Sequence, residues 1–431
     1  MCSKFQYCEG SKYDLLVNVK HCHNRFENRL DSETAVSLNV GKETAMNYFL
    51  TEEQQMIKDM AAHIGREKIR PVALKYDEEA IFPMEIVKIM GKSDLFRVFI
   101  PEEYGGFGGG MFEMCLVVEE LSRECGGISL SYAASGLGTI PIVLFGSEEQ
   151  KKKYLPKLAA GEMLAAFALT EAGAGSDASA IKTAAKPDDE NYLINGTKQW
   201  ITNGGDAEIY TLIALTDPER GARGSSAILV EKGTEGFTFG KKEDKMGIRA
   251  SSTRELIFED CVVPKGNLLG KEGLGFLVAM KTLDQSRPGV ASQALGIAQG
   301  ALDVAVSYSQ EREQFGKPIS AFQGIQFMLA DMVTQVEAAR ALTYQVARSI
   351  DAGEKNVSGI SAMAKVMASD TAMKVTTDAV QILGGYGYMK EYPVEKMMRD
   401  AKITQIYEGT NQIQREVIAL SLIKDSVRKK R

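Results

Sequence analysis

The sequence predicts an α+β multidomain protein: an N-terminal helical domain, a small middle β-barrel or sandwich domain, and a C-terminal four-helix bundle. Three observations predict it. The chain has 431 residues, which at roughly 150 residues per domain makes about three domains with cores of their own. Apolar residues recur with the helical period toward both ends. Between about residues 161 and 265, short strand-like runs punctuated by Gly, Asn and Asp-Pro replace that period.

Taken in order, residues 1–45 read as an atypical, disordered extension ahead of Met46. They hold three of the six Cys and two of the three His, and no sustained period. Glu9, Asp14, Glu27 and other acids balance the bases, and no apolar centre is present; a transit peptide lacks the first property and a secretory signal needs the second. Residues 46–160 form the first helical domain. Thr51 with Glu53 and Gln54 reads as a cap, with Met56, Met60, Ile64 and Ile69 on one face. Further helices are expected near Phe82–Ser93 and Phe112–Glu124, and one opens at Glu148-Glu149-Gln150 before Lys151–Lys153, charges that suit a helix dipole.

Residues 161–275 form the β domain, with strands at Leu164–Thr170, Tyr192–Ile194, Gln199–Thr202, Ile209–Leu215, Ser226–Glu231, Phe237–Phe239 and Glu255–Phe258. Asn195-Gly196 is the expected hairpin turn between the second and third of these. Residues 276–431 form the bundle, with long helices over Arg287–Gln310, Gln323–Ala352, Ser358–Gly384 and Asn411–Lys424.

Composition then excludes several functions. The net charge of −6 gives no general attraction for nucleic acid or anionic lipid. No apolar run is expected to approach the ~20 residues of a membrane span. The Cys at 2, 8, 22, 115, 125 and 261 form no C-x-x-C pair, which argues for a reducing compartment. His21 and His23 flank Cys22 with no second ligand cluster, which leaves only His63 beyond residue 45. Ser-His-Asp triads, Cys-His dyads and His-rich zinc sites are therefore excluded, and no metal is expected.

Gly173-Ala-Gly-Ser-Asp-Ala178 fits the dinucleotide fingerprint G-x-G-x-x-G/A, but that fold needs a long helix next. Ile181–Lys186 is short and runs into Pro187. The loop, with Thr170, Ser176 and Asp177, suits the polar parts of some other ligand. Later, Tyr407-Glu-Gly-Thr-Asn-Gln412 sets a carboxylate beside a glycine at a helix start, with Asn411 and Gln414 as an expected capping box. Glu408 there reads either as a general base or as a helix-start residue. Trp200, the single Trp, reads as packing or as a platform for a flat cofactor.

Thr170-Glu-Ala-Gly-Ala-Gly-Ser-Asp177, Gln199-Trp-Ile-Thr-Asn203, Glu311-Arg-Glu-Gln-Phe-Gly-Lys317, Gln381-Ile-Leu-Gly-Gly385 and the run Arg399–Arg415 together resemble the acyl-CoA dehydrogenase family. The similarity extends from about Tyr48 to about Ile423. It implies an FAD enzyme of fatty-acid β-oxidation that converts an acyl-CoA to the trans-2-enoyl-CoA. Glu408 would take the α-proton and flavin N5 the β-hydride, while the Glu408 N–H and a ribityl hydroxyl polarise the thioester oxygen.

The resemblance assigns Phe167, Leu169 and Thr170 to the flavin ring, with Trp200 and Thr202 over its other face. Arg312, Phe315 and Gln323 would hold the pyrophosphate and adenine, joined by Gln381, Gly384 and Gly385 from a neighbouring subunit. Thr410 and Gln412 match further flavin contacts, and Ser176, Asp284, Arg287, Tyr407 and Gly409 would contact substrate. Ser286 stands where some branches carry the base, and Ala133-Ala134-Ser135 offers no carboxylate, so Glu408 carries the role. Ala172 and Asp94 depart from the family's usual Pro and Gly.

The implied partners are acyl-CoA, electron-transfer flavoprotein and three further copies in a homotetramer built as a dimer of dimers. A cytoplasmic, bacterial setting is expected rather than a mitochondrial matrix. Butyryl to octanoyl substrates are favoured. The rival readings are an acyl-CoA oxidase, an enoyl-CoA reductase and a non-catalytic assembly factor that binds acyl-CoA or flavin.

Overall fold

A computed structural model describes residues 46–428, so the extension expected over residues 1–45 lies outside the described residues, as do His21, Cys22 and His23. Among the described residues six α-helices precede the sheet: α1 (Glu52–Ile64), α2 (Ala73–Glu78), α3 (Met84–Lys92), α4 (Met111–Glu124), α5 (Gly126–Phe145) and α6 (Glu148–Ala159). The Thr51 hydroxyl accepts from the Gln54 N–H at 3.2 Å while the Gln54 side chain accepts from the Thr51 N–H at 3.1 Å. Ser147 and Gln150 repeat this reciprocal cap on α6, satisfying donors a helix start leaves orphaned.

The sequence reading gave α5 no place, and the helix overturns the expectation about apolar runs. Gly126–Phe145 carries no charge and has mean hydropathy 1.6 over its apolar window, long and apolar enough by length and composition to cross a membrane. Here 72% of that window is buried inside the protein, as in the core helix of a globular domain. Small residues disguised it. Gly138 is one of them, and a Cβ there would stand 2.6 Å from the Ala166 nitrogen, so the helix lies directly against the first strand.

The sheet holds β1 (Ala165–Ala168), β2 (Ala184–Asp188), β3 (Asn191–Thr202), β4 (Ile209–Leu215), β5 (Ser225–Glu231), β6 (Phe237–Lys242), β7 (Thr253–Pro264) and β8 (Leu268–Leu269). Its order is β6-β7-β3-β2-β4-β5-β8, with β1 joining β4 in parallel. Tyr210 of β4 meets Phe237 and Phe239 of β6 at ring distances of 5.0 and 5.7 Å. Strands far apart in the order thus touch face to face, and the sheet folds over on itself around an aromatic core.

The Asn195-Gly196 hairpin is not formed. β3 runs straight through it, and its register against β7 shifts between Ile194 and Gly196. The Asn195 Oδ1 accepts from the Asp260 N–H at 2.9 Å and its Nδ2 donates to the Asp260 carboxylate at 3.1 Å. Both flanking segments pair with the same neighbour, so the two residues make a bulge. The turn lies earlier, at Asp189-Glu190 between β2 and β3, with Asp189 at φ 44°.

Five helices follow: α7 (Gly275–Glu311), α8 (Gln323–Asp351), α9 (Ser358–Leu383), α10 (Val394–Thr404) and α11 (Asn411–Arg428). α7 opens well before the expected Arg287 and absorbs Pro288. α10 was not anticipated; Val394, Met397 and Ala401 form its narrow buried stripe among charges. Ala291, Ala294, Ala298, Ala301 and Ala305 of α7 share a core with Ala364, Ala368, Ala372 and Ala379 of α9. Small side chains on both helices permit close packing, and this pair carries the loop that follows α10.

Candidate active site

Glu408 sits on the loop between α10 and α11, at φ 50°, followed by Gly409 at φ 92°. Two successive left-handed residues are costly unless their surroundings hold them. The Gln414 Nε2 donates to the carbonyls of Glu408 and Gly409 at 3.0 and 3.1 Å. A Cβ on Gly409 would stand 2.4 Å from that nitrogen, so only glycine fits. The expected capping box of Asn411 and Gln414 is absent, because the Thr410 hydroxyl takes the cap by accepting from the Ile413 N–H at 3.3 Å. Asn411 is buried instead, donating to Ser369 and Asp370 of α9.

The Glu408 carboxylate accepts from the Ser286 hydroxyl of α7 at 2.5 Å. Burial pushes its pKa above the usual carboxylate range, opposed by the Ser286 hydrogen bond and the charges of Arg287 and Lys365. A carboxylate so placed is a stronger base than a solvated one. Among the described residues its own N–H finds no acceptor. Ser286 cannot act as a base, but it anchors the carboxylate, a role that nothing in the sequence marks.

Glu408 faces a cavity of about 360 Å³. Phe167, Leu169, Thr170 and Ser176 line it from β1 and the loop beyond, Trp200 and Thr202 from β3, Arg287 from α7, and Tyr407 and Gly409 beside Glu408. Apolar walls come from Leu130, Ala133 and Leu137 of α5 and from Met280 and Leu283 of α7. Asp284 does not line it; its carboxylate pairs with the Arg287 guanidinium at 2.8 Å and so orients that side chain. The Tyr407 hydroxyl donates to Gln293, whose amide donates to the Gly126 carbonyl at 2.9 Å, fixing the ring beside Glu408.

Trp200 is 55% exposed at φ 58°, beside a second register shift of β3 between Lys198 and Ile201. The bulge turns the indole out of the core and into the cavity wall. Under the same strand, the Lys198 ammonium donates to the Leu169 carbonyl and to Glu171, both at 2.8 Å. Lys198 and Lys365 escaped the sequence reading. Their signal was a lysine at a position the apolar pattern marks as interior.

Arg312, Gly384 and Gly385 line a second cavity together with Tyr308 and Tyr386. Phe315 tops the hairpin β9 (Glu313–Gln314)–β10 (Lys317–Pro318), and Gln323 and Gln381 are exposed. One chain brings Arg312 to the two glycines. Thr410 and Gln412 line neither cavity; the Thr410 hydroxyl is engaged as a cap. Among the described residues, no group of three or more His, Cys, Asp or Glu is placed to hold a metal ion.

Three family models match in succession: the acyl-CoA dehydrogenase N-terminal domain over residues 51–162, the middle domain over 166–261 and the C-terminal domain over 273–423. The chain belongs to the acyl-CoA dehydrogenase family. It is 51% identical over 380 residues to an acyl-CoA dehydrogenase of Bacillus subtilis, covering 87% of this chain and 99% of the relative. It is 50% identical over 381 residues to an NADH-dependent acryloyl-CoA reductase of Anaerotignum propionicum, covering 88% and 96%.

Among solved structures it resembles butyryl-CoA dehydrogenase of Megasphaera elsdenii at 48% identity and TM-score 0.86, over 88% of this chain and all of that one. A chain in the structure described as the electron transferring flavoprotein of Acidaminococcus fermentans matches at 53% identity and TM-score 0.86, over 88% and 99%. An acyl-CoA dehydrogenase of Bacillus anthracis, described as complexed with FAD, matches at 37% identity and TM-score 0.83, over 89% and 68%.

The chain is an enzyme of the same kind, and family members are flavoproteins. Its residues fit a flat ring system. An exposed indole shares the cavity with the end of β1, and the adjoining loop is open, with no atom within 4 Å of where a Cβ on Gly173 or Gly175 would lie.

Proposed function

We propose that the chain oxidises a short, straight acyl-CoA to its trans-2-enoyl-CoA, with Glu408 as base and FAD as electron acceptor. The observation that carries this reading is the Glu408 carboxylate, anchored by Ser286 at 2.5 Å and set in one cavity with Trp200, Thr202 and Thr170. Glu408 takes the α-proton. Burial makes its carboxylate more basic, which narrows the gap to a very weak carbon acid. Its unengaged N–H is available to the thioester oxygen, where charge develops as the proton leaves. Leu130, Ala133, Leu283 and their neighbours exclude water from the acyl chain, which strengthens every charge interaction inside.

When bound, FAD supplies the two-electron acceptor for the β-hydride. Phe167, Leu169, Thr170, Trp200 and Thr202 hold its ring. Arg312, Gly384 and Gly385, with Phe315, Gln323 and Gln381, hold the tail of the flavin in an adjacent copy of a homotetramer. Electron-transfer flavoprotein takes the electrons onward, a reading supported by the 53% identity to a chain of the Acidaminococcus structure. The Megasphaera enzyme supports a butyryl-sized substrate.

The Anaerotignum relative raises the opposite direction, since one site can add the same proton and hydride to an enoyl-CoA. Anaerobic titration of the flavin absorbance with acyl-CoAs of increasing length decides both points. Butyryl-CoA bleaches the wild-type flavin, while Glu408→Gln binds the thioester and bleaches it at least about 10³-fold more slowly. Wild-type bleaching by that variant sinks the assignment. Reoxidation by NAD⁺ in place of electron-transfer flavoprotein favours the reductase.

A further inference from the structure

Lys365 lies in the third turn of α9 (Ser358–Leu383) with no accessible surface, next to the core residues Ala364 and Ala368. An interior ammonium is expensive, and Met or Leu fills such a space at less cost. Two of its donors have specific partners. Nζ donates to the Gly409 carbonyl at 2.9 Å and to the Asn411 Oδ1 at 2.8 Å. Asn411 is held in turn by Ser369 and Asp370. With Gln414 on the carbonyls of Glu408 and Gly409, donors on two helices clamp both left-handed peptides. Among the described residues no carboxylate pairs directly with the Lys365 ammonium, so its charge is directed at the loop.

We propose that Lys365 is a positioning residue for the base: it clamps the Glu408–Gly409 turn through the Gly409 carbonyl and Asn411, and its charge steadies the ionised Glu408 carboxylate. The proposal rests on the reading of Glu408 as the base. A peptide plane fixed on both sides sets where the Glu408 side chain and N–H point, and a displacement of about 1 Å at a reacting group costs roughly a hundredfold in rate. The charged groups around the ammonium are Glu408 on the loop, Arg287 of α7, Asp370 of α9 and Arg415 of α11. Burial is the largest influence and brings the ammonium's pKa down to about 7, with Glu408 pulling the other way. Lys365 in turn favours the ionised form of Glu408.

The test uses flavin-loaded enzyme and rates per bound flavin. Lys365→Met lowers kcat with butyryl-CoA by about 10- to 100-fold, leaves KM within about twofold, and moves the acid limb of kcat/KM to higher pH, because a nearby positive charge is gone. Lys365→Gln keeps a donor for the Gly409 carbonyl, so it regains most of kcat but keeps the displaced limb. If the Met variant does not fold, the limb of the Gln variant carries the same test. Unchanged kcat with an unmoved limb, or a lowered melting temperature alone, overturns the proposal. Glu408→Gln is the control: wild-type bleaching there defeats the reading of the base itself, whereas a dead Glu408→Gln beside a wild-type-like Lys365 variant defeats only the role of Lys365.

Discussion

Glu408 combines two features that folding alone disfavours, a left-handed backbone at φ 50° and a carboxylate desolvated in a cavity. Such strain persists only where neighbours over-determine it, and Ser286, Gln414 and Lys365 supply that restraint. The carboxylate's raised pKa has a thermodynamic consequence. Below its unfolded pKa, Glu408 is protonated in both states and neutral within the fold. As pH rises through the raised folded value, the fold must carry a buried charge and loses stability. Glu408→Gln removes that charge and keeps the shape. Its melting temperature should exceed wild type at pH 8 and match it near pH 4, as read by calorimetry on flavin-free samples. A difference that shrinks with rising pH rules out the buried carboxylate as a destabilising group.

At the scale of an element, β3 shows how a strand is bent to serve a site. Its bulge at Lys198–Ile201 turns Trp200 outward, and Lys198 beneath it holds the Leu169 carbonyl and Glu171. Glu171 also accepts from the Lys182 and Thr183 N–H groups at 2.7 and 3.0 Å. Lys198→Met therefore strands a largely buried carboxylate, at a cost of about 3–5 kcal/mol by urea unfolding. Adding Glu171→Gln should recover most of it; a double variant as weak as the single one sinks the pairing. The strand's other bulge, at Asn195-Gly196, was illegible in sequence, because that pair carries the same turn chemistry whether its flanks pair with each other or with a common neighbour. α5 hid for a related reason, since Gly136, Gly138 and Pro141 read as punctuation although buried contacts keep the helix whole. Ile209–Leu215 and Gln323–Asp351 were plain, because their periods are long and tertiary contacts merely ratify them. Within the site, Glu408, Trp200 and Arg287 were legible from motifs. Ser286, Lys198 and Lys365 act through contacts distant in sequence; the two lysines showed only as charges at interior positions, and Ser286 left no local pattern.

For the whole molecule, the proposed tetramer can be tested at the exposed cluster around Phe315. Phe315 is 92% exposed at φ 54°, and Gly316 follows at φ 76°, a two-residue turn that Asn-Gly suits best. Phe there costs about 1 kcal/mol of backbone strain and leaves an aromatic ring in water. Arg312, Gly384, Gly385, Tyr388 and Met389 lie exposed on the same C-terminal part of the chain. A single copy gains nothing from this arrangement, whereas a second copy bringing a flavin tail against it buries the ring. Phe315→Asn separates the two costs. It should leave urea stability of the isolated chain unchanged or raise it by about 0.5–1 kcal/mol, because the turn then holds its preferred residue. It should also weaken flavin retention and tetramer formation by at least about tenfold, because a ring worth about 1.5–3 kcal/mol on burial is gone. Sedimentation velocity with the flavin-to-protein absorbance ratio reads both. A variant as tetrameric and as yellow as wild type would show that the strained phenylalanine is no part of the assembly, and the Arg312–Gly385 cluster would then lose its assignment to a neighbour's cofactor.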